Sequence, residues 1–138
     1  MKSVLRFLIM SVVLLAAWSL PASAQDQSSI ISTYRIAPGH HVAFLQWMAD
    51  QEAASRDAGV PVGQWYVHQN GDSWDFLVIS PDLTDEQDAA ADAAAAARGL
   101  KVGLPAGIEL RQHVAEHHDT YAAGPRTASE LLAAARGN

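Results

Sequence analysis

Apolar and polar positions divide this chain into a short series of elements. Ile30 to Ile36 is β-branched and aromatic and stops at Pro38-Gly39, which predicts a strand. From about His40 to Asp57, Val42, Leu45, Met48, Ala49 and Glu52 recur at spacings of three and four. That pattern predicts a helix, widened on its apolar side by Phe44 and Trp47 and stopped by Gly59. Two strand-like runs follow, GQWYVHQ and DSWDFLVIS, joined at Asn70-Gly71, a dipeptide suited to a two-residue type I′ turn. Such a turn sets Val67 opposite Trp74, Trp65 opposite Phe76 and Gly63 opposite Val78 on an apolar face. His68 opposite Ser73, Tyr66 opposite Asp75 and Gln64 opposite Leu77 then occupy the other face, since side chains alternate with a period of two.

Pro81 ends the second run, and Thr84-Asp-Glu-Gln87 reads as a capping box before an alanine-rich helix that closes at Arg98-Gly99. Gly103 to Gly107 is expected to be a loop and residues 108 to 121 a helix. Its helical phase aligns Leu110, Val114, His117 and Tyr121, with His113 and His118 on the margins and Glu109, Glu116 and Asp119 on the far side. Gly124-Pro125 breaks the chain, and Thr127 to Glu130 caps a short last helix from Leu131 to Ala135. The predicted order is strand, helix, strand, strand and three helices, without a fourth strand.

The first 24 residues carry a different pattern. Lys2 and Arg6 precede an almost wholly apolar run from Phe7 to Leu20, and Ala22-Ser-Ala24 offers a cleavage site before Gln25, which predicts a signal peptide. Residues 25–138 then form one α+β domain in a periplasmic or secreted protein, with no stable membrane insertion after cleavage. Removing Lys2 and Arg6 from the nine basic residues leaves seven against 15 acids, a net charge of −8 that disfavours nucleic acid and anionic membranes as partners. The lack of cysteine excludes disulfides, thiol catalysis and thiolate metal sites. There is also no glycine-rich phosphate loop and no nucleophile elbow.

Candidate chemistry concentrates in HVAEHHDT, residues 113 to 120. His113-Val-Ala-Glu116-His117 matches the H-x-x-E-H string of inverted zinc proteases. A chain this small lacks room for such an enzyme, and on a helix Glu116 lies about 100° round from His117. On that helix His117 reads as a core-facing histidine, with its acidic neighbours solvated. No cofactor is evident otherwise, and a metal at His113 and His117, spaced i and i+4, is the one candidate the residues offer. His40 and His41 read as helix-start residues.

The opening strand YRIAPG running into a tryptophan-bearing helix, and the hairpin WYVHQNGDSWDFLVISP, resemble one subunit of the dimeric α/β-barrel superfamily over residues 29–99. That resemblance implies a ferredoxin-like α+β fold: a small antiparallel sheet, helices on one face, and here a helical C-terminal tail in place of the usual fourth strand. It also implies a homodimer in which two open sheets meet face to face. The superfamily includes haem-degrading and quinone-forming monooxygenases, haem peroxidases and many proteins of unknown role. None of their catalytic constellations matches residues of this chain. With the apolar hairpin face under the helices, Tyr66, His68, Asp75 and Arg35 are left to line a cavity on the open side. Two functions follow: a homodimer binding a small ligand or partner at the polar sheet face, or a small-molecule enzyme, oxygenase-like or metal-assisted, with a histidine-containing cavity.

Overall fold

β1 (Ser28–Ile36) is the centre of the sheet because its inward residues are the ones that cannot be left in water. Tyr34 and Ile36 are buried, as is Ser32 on the same face. The computed structural model describes residues 28–71 and 73–137, so the expected signal peptide lies outside the described residues. The elements run β1, α1 (His41–Asp57), β2 (Gln64–Val67), β3 (Phe76–Pro81), α2 (Asp85–Ala97), α3 (Leu104–His113), β4 (Val114–Ala123) and α4 (Ala128–Ala135). All strand pairs are antiparallel, in the order β2-β3-β1-β4. α1 packs beside both α2 and α3.

A fourth strand is therefore present, and the expected helix over 108–121 is corrected at both ends. α3 begins at Leu104, with Pro105 in its first turn where a missing N–H costs nothing. It stops at His113, and the strand that follows pairs with β1 from Val114↔Ile36 to Ala123↔Ser28, with Ala115 left out at an irregularity beside Arg35. The pairing overrides the helix-forming alanines and glutamate of this stretch, because without β4 one edge of the central strand would lose its hydrogen bonds.

The hairpin register also differs from the expected one. Val67 pairs with Phe76, Tyr66 with Leu77, Trp65 with Val78 and Gln64 with Ile79, a shift of two residues. A type I′ turn needs positive φ at both central residues, and among the described residues no non-glycine has it, so Asn70 does not make that turn. The loop is wider, closed by His68 N–H donating to Asp75 O at 2.9 Å. Because the shift is even, the paired residues of β2 and β3 keep their predicted faces, whereas Trp74, expected on the apolar face, lines the open one and the Asp75 carboxylate turns toward α1.

Inside the sheet, Phe44 is fully enclosed among Tyr34, Ile36 and Val78, with Met48, Trp65, Phe76, Leu110 and Val114 packed around them. The aromatic rings of Tyr34, Trp65 and Phe76 lie 5.2 to 6.1 Å from that of Phe44. The inner stripe of α1 is thus Phe44, Met48 and Ala54. Val42, expected to face inward, is 81% exposed, and Leu45 is also exposed. Val67, expected under the helices, is exposed too. Ala54 of α1 and Ala95 of α2 are both buried, the small side chains letting the two helices approach. Both predicted capping boxes form, at Thr84–Gln87 and Thr127–Glu130.

Candidate functional site

Alternation along the strands sends one set of side chains under the helices and leaves the other set on a face that no helix of the described residues covers. Register places Ile31 beside Ile79 and Thr120, Thr33 beside Leu77 and His118, and Tyr66 beside Leu77 on this open face. A central apolar strip of Ile31, Leu77 and Ile79 is therefore bordered by polar groups from both edge strands. Two clefts occupy its ends.

The larger, of about 520 Å³, has Ile31, Val62, Ile79 and Pro81 as apolar lining, Gln64 and Tyr66 on one side and the Ala122 to Pro125 turn on the other. Tyr66 is half exposed, and its hydroxyl donates a long 3.4 Å hydrogen bond to Gln64 Oε1, so both groups remain available to a ligand. The smaller cleft, of about 190 Å³, lies at the opposite end, among Thr33, Arg35, Ser73, Trp74, Glu116 and His118. There Arg35 pairs with Glu116 at 2.5 Å, and His118 lies 2.8 Å from the same carboxylate.

The chain has the ferredoxin-like fold. Its strand order and connections, with α3 inserted before β4 and α4 after it, are those of a β-α-β-β-α-β unit. No family model and no curated protein matches the chain. Among solved structures it is similar to a NIPSNAP family protein of unknown function from Agrobacterium tumefaciens, at 15% identity and a TM-score of 0.48, over 74% of this chain and 91% of that one. It is similar to a dimeric protein of unknown function and ferredoxin-like fold from Bacteroides fragilis, at 16% identity and a TM-score of 0.45, covering 72% and 98%. A third is SnoaB, a cofactor-independent oxygenase from Streptomyces nogalater, at 15% identity and a TM-score of 0.46, covering 75% and 98%.

Within this ferredoxin-like frame the four expected ligand-binding residues separate. Tyr66 lines the larger cleft and Arg35 the smaller one. Asp75, expected opposite Tyr66, has its carboxylate turned to the junction of β1 and α1. Its Oδ2 accepts the Ile36 N–H at 2.6 Å and its Oδ1 lies 3.5 Å from His41 Nε2. His68 lies against Trp74, ring centroids 5.0 Å apart, with an enclosed Nε2 that has no hydrogen-bond partner. Gln64, the polar companion of Tyr66, was legible only as an alternating strand residue.

His113 and His117 belong to different elements, one ending α3 and the other in β4, so they do not share a helix face. Among the described residues, no three histidine or acidic side chains are grouped to hold a metal ion. His113 Nδ1 is enclosed without a hydrogen-bond partner, its ring 5.8 Å from His40 and 6.4 Å from Trp47. His117 faces inward, as the helical phase also implied, but Asp119 joins it on that side. The His117 ring stacks on Tyr34 at 4.6 Å with only 8° between planes. Its Nε2 lies 2.9 Å from Asp119 Oδ1 but makes no aligned hydrogen bond with it. Ser32 donates to the same carboxylate oxygen at 2.5 Å. Burial holds the Tyr34 phenol above the ordinary tyrosine value. The Ser32 hydroxyl opposes that shift and the Asp119 charge adds to it.

Proposed function

We propose that this protein is exported, that it works as a homodimer joined through the open sheet faces, and that it binds a small ligand in the cleft bordered by Tyr66 and Gln64. The observation that carries the reading is the roughly 520 Å³ cleft itself, with an apolar floor and two adjacent polar side chains on a face left bare by the helices. A half-buried strip of aliphatic side chains on a sheet face is a surface that a second copy can cover. The net charge of −8 after cleavage also favours a small molecule or a protein surface over nucleic acid as the partner.

Sedimentation equilibrium tests the assembly. The protein is expected at twice its chain mass, and Ile79→Asp, which puts a charge in the middle of the strip, is expected at the monomer mass with an unchanged circular dichroism spectrum. A monomeric wild type, or an Ile79→Asp dimer, would overturn the arrangement. Amino-terminal sequencing of the protein recovered from a periplasmic fraction should start at Gln25.

A further inference from the structure

A separate cleft of about 340 Å³ opens where α3 turns into β4, lined by Gly107, Leu110, Arg111, Val114, Glu116 and His117 among others. Its chemistry differs from that of the open sheet face. Leu110 and Val114 supply an apolar wall, and Arg111 supplies a positive charge in the last turn of α3. Arg111 has no hydrogen bond or ion pair with any described residue, whereas Glu116 in the same cleft is already engaged by Arg35 at 2.5 Å and His118 at 2.8 Å. The free charge in the lining is therefore a cation. His117 is the third element, with its ring flat against Tyr34 and its Nε2 toward Asp119, which Ser32 holds in turn. The stack on Tyr34 fixes the plane of the ring.

We propose that this α3–β4 cleft is a second binding site, for a small organic carboxylate with an apolar body, in which Arg111 is the counter-charge and His117, stacked flat on Tyr34, a hydrogen-bond partner. A carboxylate oxygen only accepts hydrogen bonds, and an imidazole N–H is a donor of the kind it needs. Beside the His117 ring stand Tyr34 from β1 and Asp119 from β4, while the Glu116 carboxylate turns to Arg35 and His118 on the other face of the strand, so Arg111 is the group of the lining that favours an anion. Gly107 is part of the lining. A Cβ built there meets nothing within 4 Å, so a larger side chain at this helical position enters empty space without disturbing its neighbours.

The test is titration of the purified protein with benzoate, followed by calorimetry and by the histidine side-chain NMR signals, with uncharged benzamide in parallel. Saturable binding of benzoate that perturbs His117 is expected. It should weaken by about tenfold or more in Arg111→Gln, since a charge-assisted contact is lost, and should disappear in Gly107→Leu. Benzamide is expected to bind weakly or not at all, and His117→Phe, which keeps a flat ring against Tyr34 but has no N–H, should weaken benzoate binding. Tyr66→Ala should leave benzoate binding unchanged, which separates this cleft from the open-face site. Absence of saturable binding up to about 10 mM, where the binding energy falls below roughly 3 kcal/mol, would overturn the proposal. So would benzoate binding that survives both Arg111→Gln and Gly107→Leu.

Discussion

Phe44→Ala is the substitution that most directly examines how α1 meets the sheet. Phe44 is completely enclosed and has the rings of Tyr34, Phe76 and Trp65 at 5.2, 5.9 and 6.1 Å. Truncating a buried phenylalanine costs about 3 to 5 kcal/mol, through lost transfer energy and the cavity left behind. Aromatic pairs add about 0.5 to 1.5 kcal/mol each beyond area, so the upper part of that range, about 4 to 5 kcal/mol, is expected here. Against a total stability of about 5 to 15 kcal/mol for a small domain, this is a large fraction. Val42→Ala is the control, because Val42 lies two residues earlier on the same helix and is 81% exposed; a change within about 0.5 kcal/mol is expected. Urea unfolding followed by tryptophan fluorescence reads both, with the midpoint displaced and the slope preserved. A Phe44→Ala cost below about 1 kcal/mol, or a Val42→Ala cost of similar size to that of Phe44→Ala, would refute the assigned inner face of α1.

Asp75 and Tyr34 give two further predictions. Asp75→Ala should cost about 1 to 3 kcal/mol by leaving the Ile36 N–H without its acceptor and should speed hydrogen exchange at that amide, whereas Asp75→Asn, which keeps an oxygen in place, should cost less; equal effects would show that the contact matters only as charge. Tyr34 has a folded-state pKa above its unfolded value of 10.0, so its contribution to stability is fully present below pH 10.0 and is lost as the pH rises through the folded value. Alkaline titration of tyrosinate absorbance should therefore show one phenol ionising later than the others, or together with unfolding, and Tyr34→Phe should remove that late step; its persistence in Tyr34→Phe would assign it to another residue.

The hairpin shows how partial the local signals are. Alternation in QWYV and FLVIS placed Trp65, Phe76 and Val78 on one face and Tyr66 and Leu77 on the other, and this holds in the structure. Asn70-Gly71 pointed to a tighter turn than the one that forms. β3 is a central strand, and its start is held from the β1 side by Asp75 N–H donating to Tyr34 O at 2.8 Å and by the Asp75 carboxylate on Ile36 N–H. Those bonds come from a strand some forty residues earlier, which no turn dipeptide can report.

β4 was hidden for a related reason. A half-buried strand is normally recognised by inward aliphatic residues, but here the inward positions include His117 and Asp119, and the outward ones Glu116, His118 and Thr120. With polar side chains on both faces and alanines between them, no period-two contrast appears. The carboxylate of Asp119 is satisfied by Ser32, a residue 87 positions away, and that contact exists only once β1 and β4 are paired.

By itself, the amino-acid sequence determined the elements whose signals are local: β1, the extent of α1, the two capping boxes, the faces of the hairpin and the ferredoxin-like resemblance of residues 29–99. These depend on side-chain periodicity, on caps and on backbone restrictions within a few residues. Tertiary structure alone decided which apolar stripe of α1 faces inward, the register of β2 on β3, the existence of β4 and the separation of Tyr66, Arg35 and Asp75 into different surroundings. Each of those depends on hydrogen bonds or packing between segments far apart in the chain, where the competing local preferences differ by less than the energy gained when a central strand is paired and an aromatic core is closed.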